Sequence, residues 1–131
     1  MLLSLLAIFK ALERFSLLLP LLSIPLPRLH ERAKSLHRLL KKNAVPGLTI
    51  EIISATSQVG GGALPLSFMN SYALAFTSES RPSAEIEKRF RSFSPAIIGR
   101  IEKERFLLDV RTLRKEDFPY VAQCLKKWDN F

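Results

Sequence analysis

Three consecutive glycines, Gly60, Gly61 and Gly62, lie between two apolar segments that have the composition of β-strands. Glycine loses more backbone freedom on folding than any other residue, so a run of three opposes folding unless the backbone requires it. Such a run is typical of a mobile or bulged hairpin loop, and equally of a site where φ is positive or where another group lies close to the backbone. The glycines therefore predict a loop between two strands, and both interpretations of that loop stay open.

The surrounding pattern predicts one small α+β domain over residues 27–131, a length within the usual range for a single domain. Branched and apolar residues predict two strands and a hairpin, at residues 48–55, 71–77, and 97–102 with 105–110. Helical spacing predicts three helices, the last two N-capped by Ser83 and Asp117, at residues 27–42, 83–93 and 116–128. This order of elements predicts a small antiparallel or mixed sheet with helices packed on one face.

The segment before this domain, residues 1–26, is predicted to be a linker, with an apolar helix over residues 2–18 and a proline-rich connector. Lys10, Glu13 and Arg14 interrupt the apolar run, which falls short of the roughly 20 apolar residues that span a membrane. A helix that is apolar on nearly every side is normally buried in a larger body. We therefore expect no membrane span, a cytoplasmic location, and self-association of the isolated chain through residues 1–22.

The net charge of +8 is concentrated in the predicted first helix. Six basic residues oppose Glu31 alone there: Arg28, Arg32, Lys34, Arg38, Lys41 and Lys42. This face is either simply solvated or a site for the phosphates of RNA, because clustered cations release counterions when they bind nucleic acid. Phe90, Phe93 and Phe106 lie in core-like patterns, which disfavours an RNA-binding module that stacks bases on exposed aromatic side chains.

Cysteine and histidine are too sparse to indicate metal or redox chemistry. Cys124 is the only cysteine and lies in an apolar helical pattern, which predicts a buried, unreactive thiol without a disulfide. His30 and His37 are seven residues apart and share a helix face. Because no third ligand is nearby, we interpret both histidines as solvated and predict no metal site.

Several segments resemble one protein family in the order that the family has them. Residues 57–65 read Ser-Gln-Val-Gly-Gly-Gly-Ala-Leu-Pro, which resembles a signature in the C-terminal part of the bacterial selenocysteine synthases, the L-seryl-tRNA(Sec) selenium transferases. Residues 95–102 read Pro-Ala-Ile-Ile-Gly-Arg-Ile-Glu, and residues 106–113 read Phe-Leu-Leu-Asp-Val-Arg-Thr-Leu, which are similar to two further blocks of that family. Residues 27–40 resemble a helix of the same family. Together these segments cover most of residues 1–113.

The resemblance implies a fold, a reaction and a cofactor. The fold is the small C-terminal domain of the pyridoxal-phosphate-dependent aspartate-aminotransferase-like superfamily, preceded by a long apolar linker helix. The family converts seryl-tRNA(Sec) to selenocysteinyl-tRNA(Sec) with selenophosphate, and its Schiff-base lysine and cofactor pocket lie in a large domain that precedes this region. Because those motifs are not found here, we interpret the chain as a truncated domain, a fragment or remnant. We expect it to contain no catalytic residue and to bind no pyridoxal phosphate alone.

The expected partners are tRNA and a separate large catalytic domain. Two alternatives remain: the small domain of a related pyridoxal-phosphate lyase, and a freestanding basic RNA-binding module.

Within the implied small domain, the substrate-proximal candidates are Gly60, Gly61, Gly62, Arg100 and Arg111. The glycines let the backbone lie against a ligand or the large domain. An arginine in this part of the superfamily often holds a substrate carboxylate by a two-pronged hydrogen bond, and Arg111 is the better placed candidate. The alternative is that Arg111 forms a surface ion pair with Asp109 or Glu102.

Overall fold

The computed structural model describes residues 24–58 and 68–128. Their elements, in chain order, are helix α1 (Leu26–Lys41), strands β1 (Leu48–Gln58) and β2 (Phe68–Ser78), helix α2 (Ser83–Arg91), strands β3 (Arg100–Glu102) and β4 (Arg105–Asp109), a 3-10 turn (Lys115–Asp117) and helix α3 (Phe118–Lys126). The strands form one antiparallel sheet in the order β1-β2-β4-β3, so the antiparallel form of the prediction is confirmed. The predicted superfamily stays a prediction.

The two long strands pair along their whole length, from Leu48 opposite Ser78 to Gln58 opposite Phe68. Both are longer than predicted, by three residues at the end that approaches the glycines. The extra residues of β1, Thr56 to Gln58, are polar and carry no apolar alternation. Backbone hydrogen bonds with β2 continue the pairing there, so the apolar residues alone do not predict that these three residues belong to the strand.

Alternate residues of each strand point to opposite faces of the sheet. The three described helices pack on one of these faces. On this first face, apolar helix residues join a core formed by Ile50, Ile52, Leu74, Phe76, Phe106 and Leu108. The rings of Phe76, Phe90 and Phe106 lie at its centre, with centroids 5.1 to 5.8 Å apart. The second face carries a separate, smaller apolar cluster, with Ala73, Ala75 and Leu107 at its centre.

Of the two predicted helix N-caps, Ser83 was wrong, whereas Asp117 is at the predicted cap position but makes no side-chain cap bond. Ser83 is already inside α2, since Pro82 occupies the cap position and its carbonyl accepts hydrogen bonds from the N–H groups of Glu85 and Ile86. Asp117 occupies the cap position of α3, but its backbone is helical because the 3-10 turn runs straight into that helix. A capping side chain requires extended backbone at the cap residue, and neither helix has a side-chain cap bond.

The predicted β3–β4 hairpin is present but shorter than expected. Ile97 is buried, and its N–H donates to the Phe90 carbonyl at 3.0 Å, so this residue belongs to the α2 side of the core and not to β3. The two-residue turn is at the predicted place, with Lys103 and Glu104 both at positive φ (50° and 62°). This left-handed pair matches the right-handed twist of the strands that it joins.

The two histidines are not solvated as predicted. The His30 ring stacks on Tyr72 at a centroid distance of 4.6 Å, and His37 Nε2 donates to the Ile50 carbonyl at 3.0 Å. Both lie at the edge of α1 next to the sheet, where the apolar stripe of the helix meets its polar face. Their helical spacing was correct, but only the packing of α1 on β1 and β2 determines that these rings are half-buried.

Cys124 is fully buried, as predicted. Burial raises the pKa of its thiol to about 11, against a smaller lowering by the charge of Arg89. The folded pKa lies above the value of about 8.5 for an unfolded cysteine. The neutral thiol therefore contributes stability that is fully present below about pH 8.5 and is lost as the pH rises towards 11.

We expect the urea midpoint of the chain to fall between pH 8.5 and pH 10.5, and to fall less in Cys124→Ala. Titration of surface lysines lowers both midpoints, but only the native chain has to ionise a buried thiol. Far-UV circular dichroism at three pH values measures the difference. Equal falls in the two proteins are the contrary result.

Several predictions lie outside the described residues. They are the apolar helix, the self-association through residues 1–22, and the conformation of Gly60, Gly61 and Gly62. The boundary between a linker of residues 1–26 and a domain of residues 27–131 likewise stays a prediction. Within residues 24–58 and 68–128, no helix is long and apolar enough to cross a membrane.

Candidate functional site

A buried carboxylate, Asp109, ends strand β4 and organises the polar residues of the second face. It is only 5% exposed. Ser57 Oγ donates to its Oδ2 at 2.5 Å, Ser71 Oγ donates to its Oδ1 at 2.6 Å, and the backbone N–H of Arg111 donates to Oδ1 at 2.9 Å. Arg100 Nη1 approaches Oδ2 at 3.4 Å. We call these five residues the Asp109 cluster.

The strand register brings these residues together. Asp109 lies opposite Ala73, and Ser71 lies two residues from Ala73 on the same face of β2. Both arginines were predicted as site residues, but Asp109, Ser57 and Ser71 were not. A signal was present, since Asp109 stands between Leu108 and Val110 in an apolar run. A carboxylate in such a run is either exposed or paired, because an unpaired buried charge is very costly.

Arg100 extends across the second face from one edge strand to the other. Its Nη2 donates to the Thr56 carbonyl of β1 at 2.7 Å, although Arg100 itself lies in β3. Its Nε donates to Glu102 at 2.9 Å, and Nη1 reaches Asp109. The guanidinium thus joins β1, β3 and β4 near the end of β1, after which the three glycines follow in sequence.

Arg111 is buried, with 3% exposure, so the surface ion pair offered as an alternative for it was wrong. Its Nη1 donates to the Ile24 carbonyl at 3.1 Å, and its Nη2 donates to the Asn70 carbonyl at 2.8 Å. Arg100 forms ion pairs with Glu102 and Asp109. Sequence order could not show that Arg111 is buried, because the chain turns off the sheet just after Asp109 and carries Arg111 inward. A role for Arg111 in holding a substrate carboxylate stays a prediction.

The structure therefore brings the predicted residues Arg100 and Arg111 together through Asp109. The cluster also joins the end of β1 to the start of β2. Ser57 lies near the end of β1 and Ser71 lies near the start of β2, the two strands between which the three glycines lie in sequence.

The six basic residues of the predicted first helix do not share one environment. Lys34, Arg38, Lys41 and Lys42 are exposed, and we call them the α1 basic face. Arg28 is also exposed but lies in the first turn of α1. Lys34 pairs with Glu31 at 3.5 Å, and residues three and four positions apart lie on the same side of a helix. Arg32 is half-buried on a flank of the helix and donates from Nη1 to the Val110 carbonyl at 3.3 Å. Burial lowers the pKa of Arg32 below its ordinary value, and Glu116 opposes this effect.

Residues 6–114 match the family model described as L-seryl-tRNA selenium transferase, and this range includes the whole Asp109 cluster. The chain belongs to the L-seryl-tRNA selenium transferase family. Proteins named L-seryl-tRNA(Sec) selenium transferase are similar to it. The one from Desulfotalea psychrophila is 43% identical over 95 residues, which are 72% of this chain and 20% of that protein. The one from Geobacter metallireducens is 36% identical over 107 residues, which are 82% of this chain and 23% of that protein.

The Carboxydothermus hydrogenoformans relative is 33% identical over 109 residues, 83% of this chain and 23% of that protein. The chain thus spans between a fifth and a quarter of the length of these selenium transferases. The resemblance of the glycine, β3 and β4 segments to the family is confirmed.

Pyridoxal phosphate, which the resemblance implies, requires a lysine for its Schiff base, an acid beside the pyridine nitrogen and a phosphate cradle. Every lysine within residues 24–58 and 68–128 is exposed. Asp109 is the one buried carboxylate of that region, and its two oxygens already accept hydrogen bonds within the cluster. The described part of this selenium transferase family member therefore does not fit the cofactor, and we assign none of the cofactor chemistry to it. The same region contains no group of three or more metal-ligating side chains.

Proposed function

We propose that this chain is the small C-terminal domain of an enzyme that transfers selenium to seryl-tRNA(Sec). In this proposal a separate large domain in the cytoplasm holds pyridoxal phosphate and performs the covalent chemistry. The observation that carries the proposal is the family match over residues 6–114, which runs from before α1 to just beyond the Asp109 cluster. The conversion of serine to selenocysteine on tRNA is the reaction that such a pair of domains would perform.

The Asp109 cluster supports a positioning role for this domain. Arg111 joins the Ile24 carbonyl, just before α1, to β2, while Arg100 joins β1 to β3. Ile24 and strands β1, β2 and β3 are therefore joined through the same small group of side chains. The proposed role of the cluster is to fix these described elements relative to one another.

The α1 basic face is the proposed contact with tRNA phosphates. Its charges lie along the C-terminal half of α1 and at its C-cap residue Lys42, and clustered cations on a solvated surface attract a polyanion. A freestanding RNA-binding module is less well supported, because Phe90 and Phe106 are fully buried in the core and Phe93 packs against it. Sequence-tolerant recognition of single-stranded RNA depends on exposed aromatic side chains that stack with bases.

Replacing Arg38, Lys41 and Lys42 with glutamine is expected to weaken tRNA binding and to flatten its dependence on salt. Each phosphate contact contributes close to one unit to the slope of log affinity against log salt, so the slope should decrease by about two to three units. Filter binding between 50 and 200 mM salt measures this slope with tRNA(Sec) and with a second tRNA. We expect equal effects on both, because phosphate contacts carry no sequence information.

The matched control removes three charges elsewhere, by replacing the exposed residues Lys88, Lys103 and Lys126 with glutamine. It should keep most of the salt slope. Equal slopes for both variants would contradict a contact through α1. A strong preference for tRNA(Sec) in 200 mM salt would instead favour a recognition module over a positioning domain.

A further inference from the structure

A concave surface lies between the start of α1 and the 3-10 turn that precedes α3. It encloses about 600 Å³ and is lined by Ile24, Arg28, Glu31, Arg32, Ser35 and Lys115. We call it the Arg28 pocket. Arg28 and Arg32 are one helical turn apart, whereas Lys115 belongs to a different element at the other end of the chain. Tertiary packing brings these three cations around one cavity.

The charges of the Arg28 pocket are not balanced by the acids near it. Glu31 lines the pocket but already pairs with Lys34 at 3.5 Å, and the charge of Glu116 acts on Arg32. Within residues 24–58 and 68–128, neither Arg28 nor Lys115 forms an ion pair. Converging like charges repel one another. A fold that retains three of them around a cavity gains from an anion placed between them.

One cation of the pocket is held in position before any ligand arrives. The bond from Arg32 Nη1 to the Val110 carbonyl leaves further N–H groups of the same guanidinium as donors. The positive end of the α1 dipole is nearby, and the first turn of α1 contains no acidic residue. Ser35 adds a hydroxyl at the rim. This set of donors matches the oxygen atoms of a phosphate group, which arginine binds in two-pronged fashion.

We propose that the Arg28 pocket binds a single phosphate group, held by Arg28, Arg32 and Lys115. The remaining volume accommodates the sugar or other small group that carries the phosphate. The phosphate belongs either to the tRNA backbone or to a small phosphorylated ligand. In the first case the inference rests on the proposed function and extends it from a charged helix face to a defined subsite. In the second case it stands independently.

The test is a titration of the intact chain with inorganic phosphate at constant ionic strength, followed by the backbone amide signals of residues 28–35 and 115. We expect saturable shifts that fit one site. Replacing Arg28 and Lys115 together with glutamine should raise the dissociation constant at least about tenfold, as expected for the loss of two charge-assisted contacts. Both residues are exposed, so the variant should keep its fold, which its far-UV spectrum verifies.

The matched control replaces Lys41 and Lys42 with glutamine and removes the same two charges from the α1 basic face. Its dissociation constant for phosphate should stay within about twofold, because exposed charges beyond a Debye length are screened. Non-saturable shifts, or equal weakening in both variants, would overturn the proposal.

A competition arm identifies the source of the phosphate. If inorganic phosphate displaces tRNA from the intact chain but not from the Arg28 and Lys115 variant, the pocket binds a phosphate of RNA. If saturable phosphate binding leaves tRNA in place, the pocket binds a small phosphorylated ligand. A chain that binds phosphate here but no tRNA would refute the proposed tRNA contact and leave the pocket supported, so the two failures are distinguishable.

Discussion

Replacing Asp109 with alanine is expected to lower the free energy of unfolding by about 3–5 kcal/mol, which is the usual result of removing one partner from a buried charged network. The substitution deprives the hydroxyls of Ser57 and Ser71 and the backbone N–H of Arg111 of their acceptor. It also leaves Arg100 without its buried partner. A buried donor that loses its acceptor retains its full desolvation penalty. Urea denaturation at pH 7, followed by far-UV circular dichroism, measures the loss.

Two controls separate the role of Asp109 from a general effect of charge. Asp109→Asn keeps the shape and one oxygen, so it should be destabilised less than Asp109→Ala. Glu102→Ala removes the other, half-exposed carboxylate that pairs with Arg100, and it should change stability by no more than about 1 kcal/mol. A loss below about 1 kcal/mol in Asp109→Ala would show that the cluster does not hold the sheet ends.

Gly99→Ala is expected to destabilise the chain by about 2–3 kcal/mol, in the range of overpacking substitutions. A methyl group on Gly99 would overlap the Leu107 carbonyl oxygen and lie 2.6 to 2.7 Å from two ring carbons of Phe106. The backbone oxygen cannot move without separating β3 from β4. Arg100 follows Gly99 directly, so the shift should also weaken its contacts with Thr56 and Asp109.

Gly47→Ala is the matched control, since the same methyl group is added where no atom lies within 4 Å. Gly47 has φ of +82°, so its substitution is opposed by backbone strain alone. That strain is about 1–2 kcal/mol for a residue with a side chain. Urea denaturation should therefore show a smaller loss than for Gly99→Ala. The reverse order would indicate that β3 yields easily and that the close contact at Gly99 is unimportant.

The helices and strands followed from local pattern. Leu29, Ala33, Leu36 and Leu40 recur at helical spacing, and all four are buried in α1. The branched and apolar residues of β1 and β2 likewise predicted two strands, one on either side of the glycines. These predictions succeeded because periodicity reports which side of an element meets the core. The N-cap at Ser83 was wrong because Pro82 occupies the cap position. Asp117 occupies its predicted cap position but makes no cap bond, because the 3-10 turn before it gives it a helical backbone.

The site was only partly predictable. Arg100 and Arg111 were named from the family resemblance, but the burial of Arg111 depends on the path of the chain after β4. The partners of Asp109 are 52 and 38 residues away in sequence, in two other strands. No local pattern encodes such distances, because they follow from strand register and sheet order.

The family, the α+β class and the charge of α1 were predictable because each depends on which residues occur and at what spacing. The central place of Asp109 on the second face, the burial of Arg111, the path of Arg100 across the sheet and the position of Lys115 beside Arg28 and Arg32 are properties of the assembled fold. The physical reason is that buried charges and converging cations depend on contacts between residues far apart in the chain. Those contacts form only when the sheet and helices are assembled.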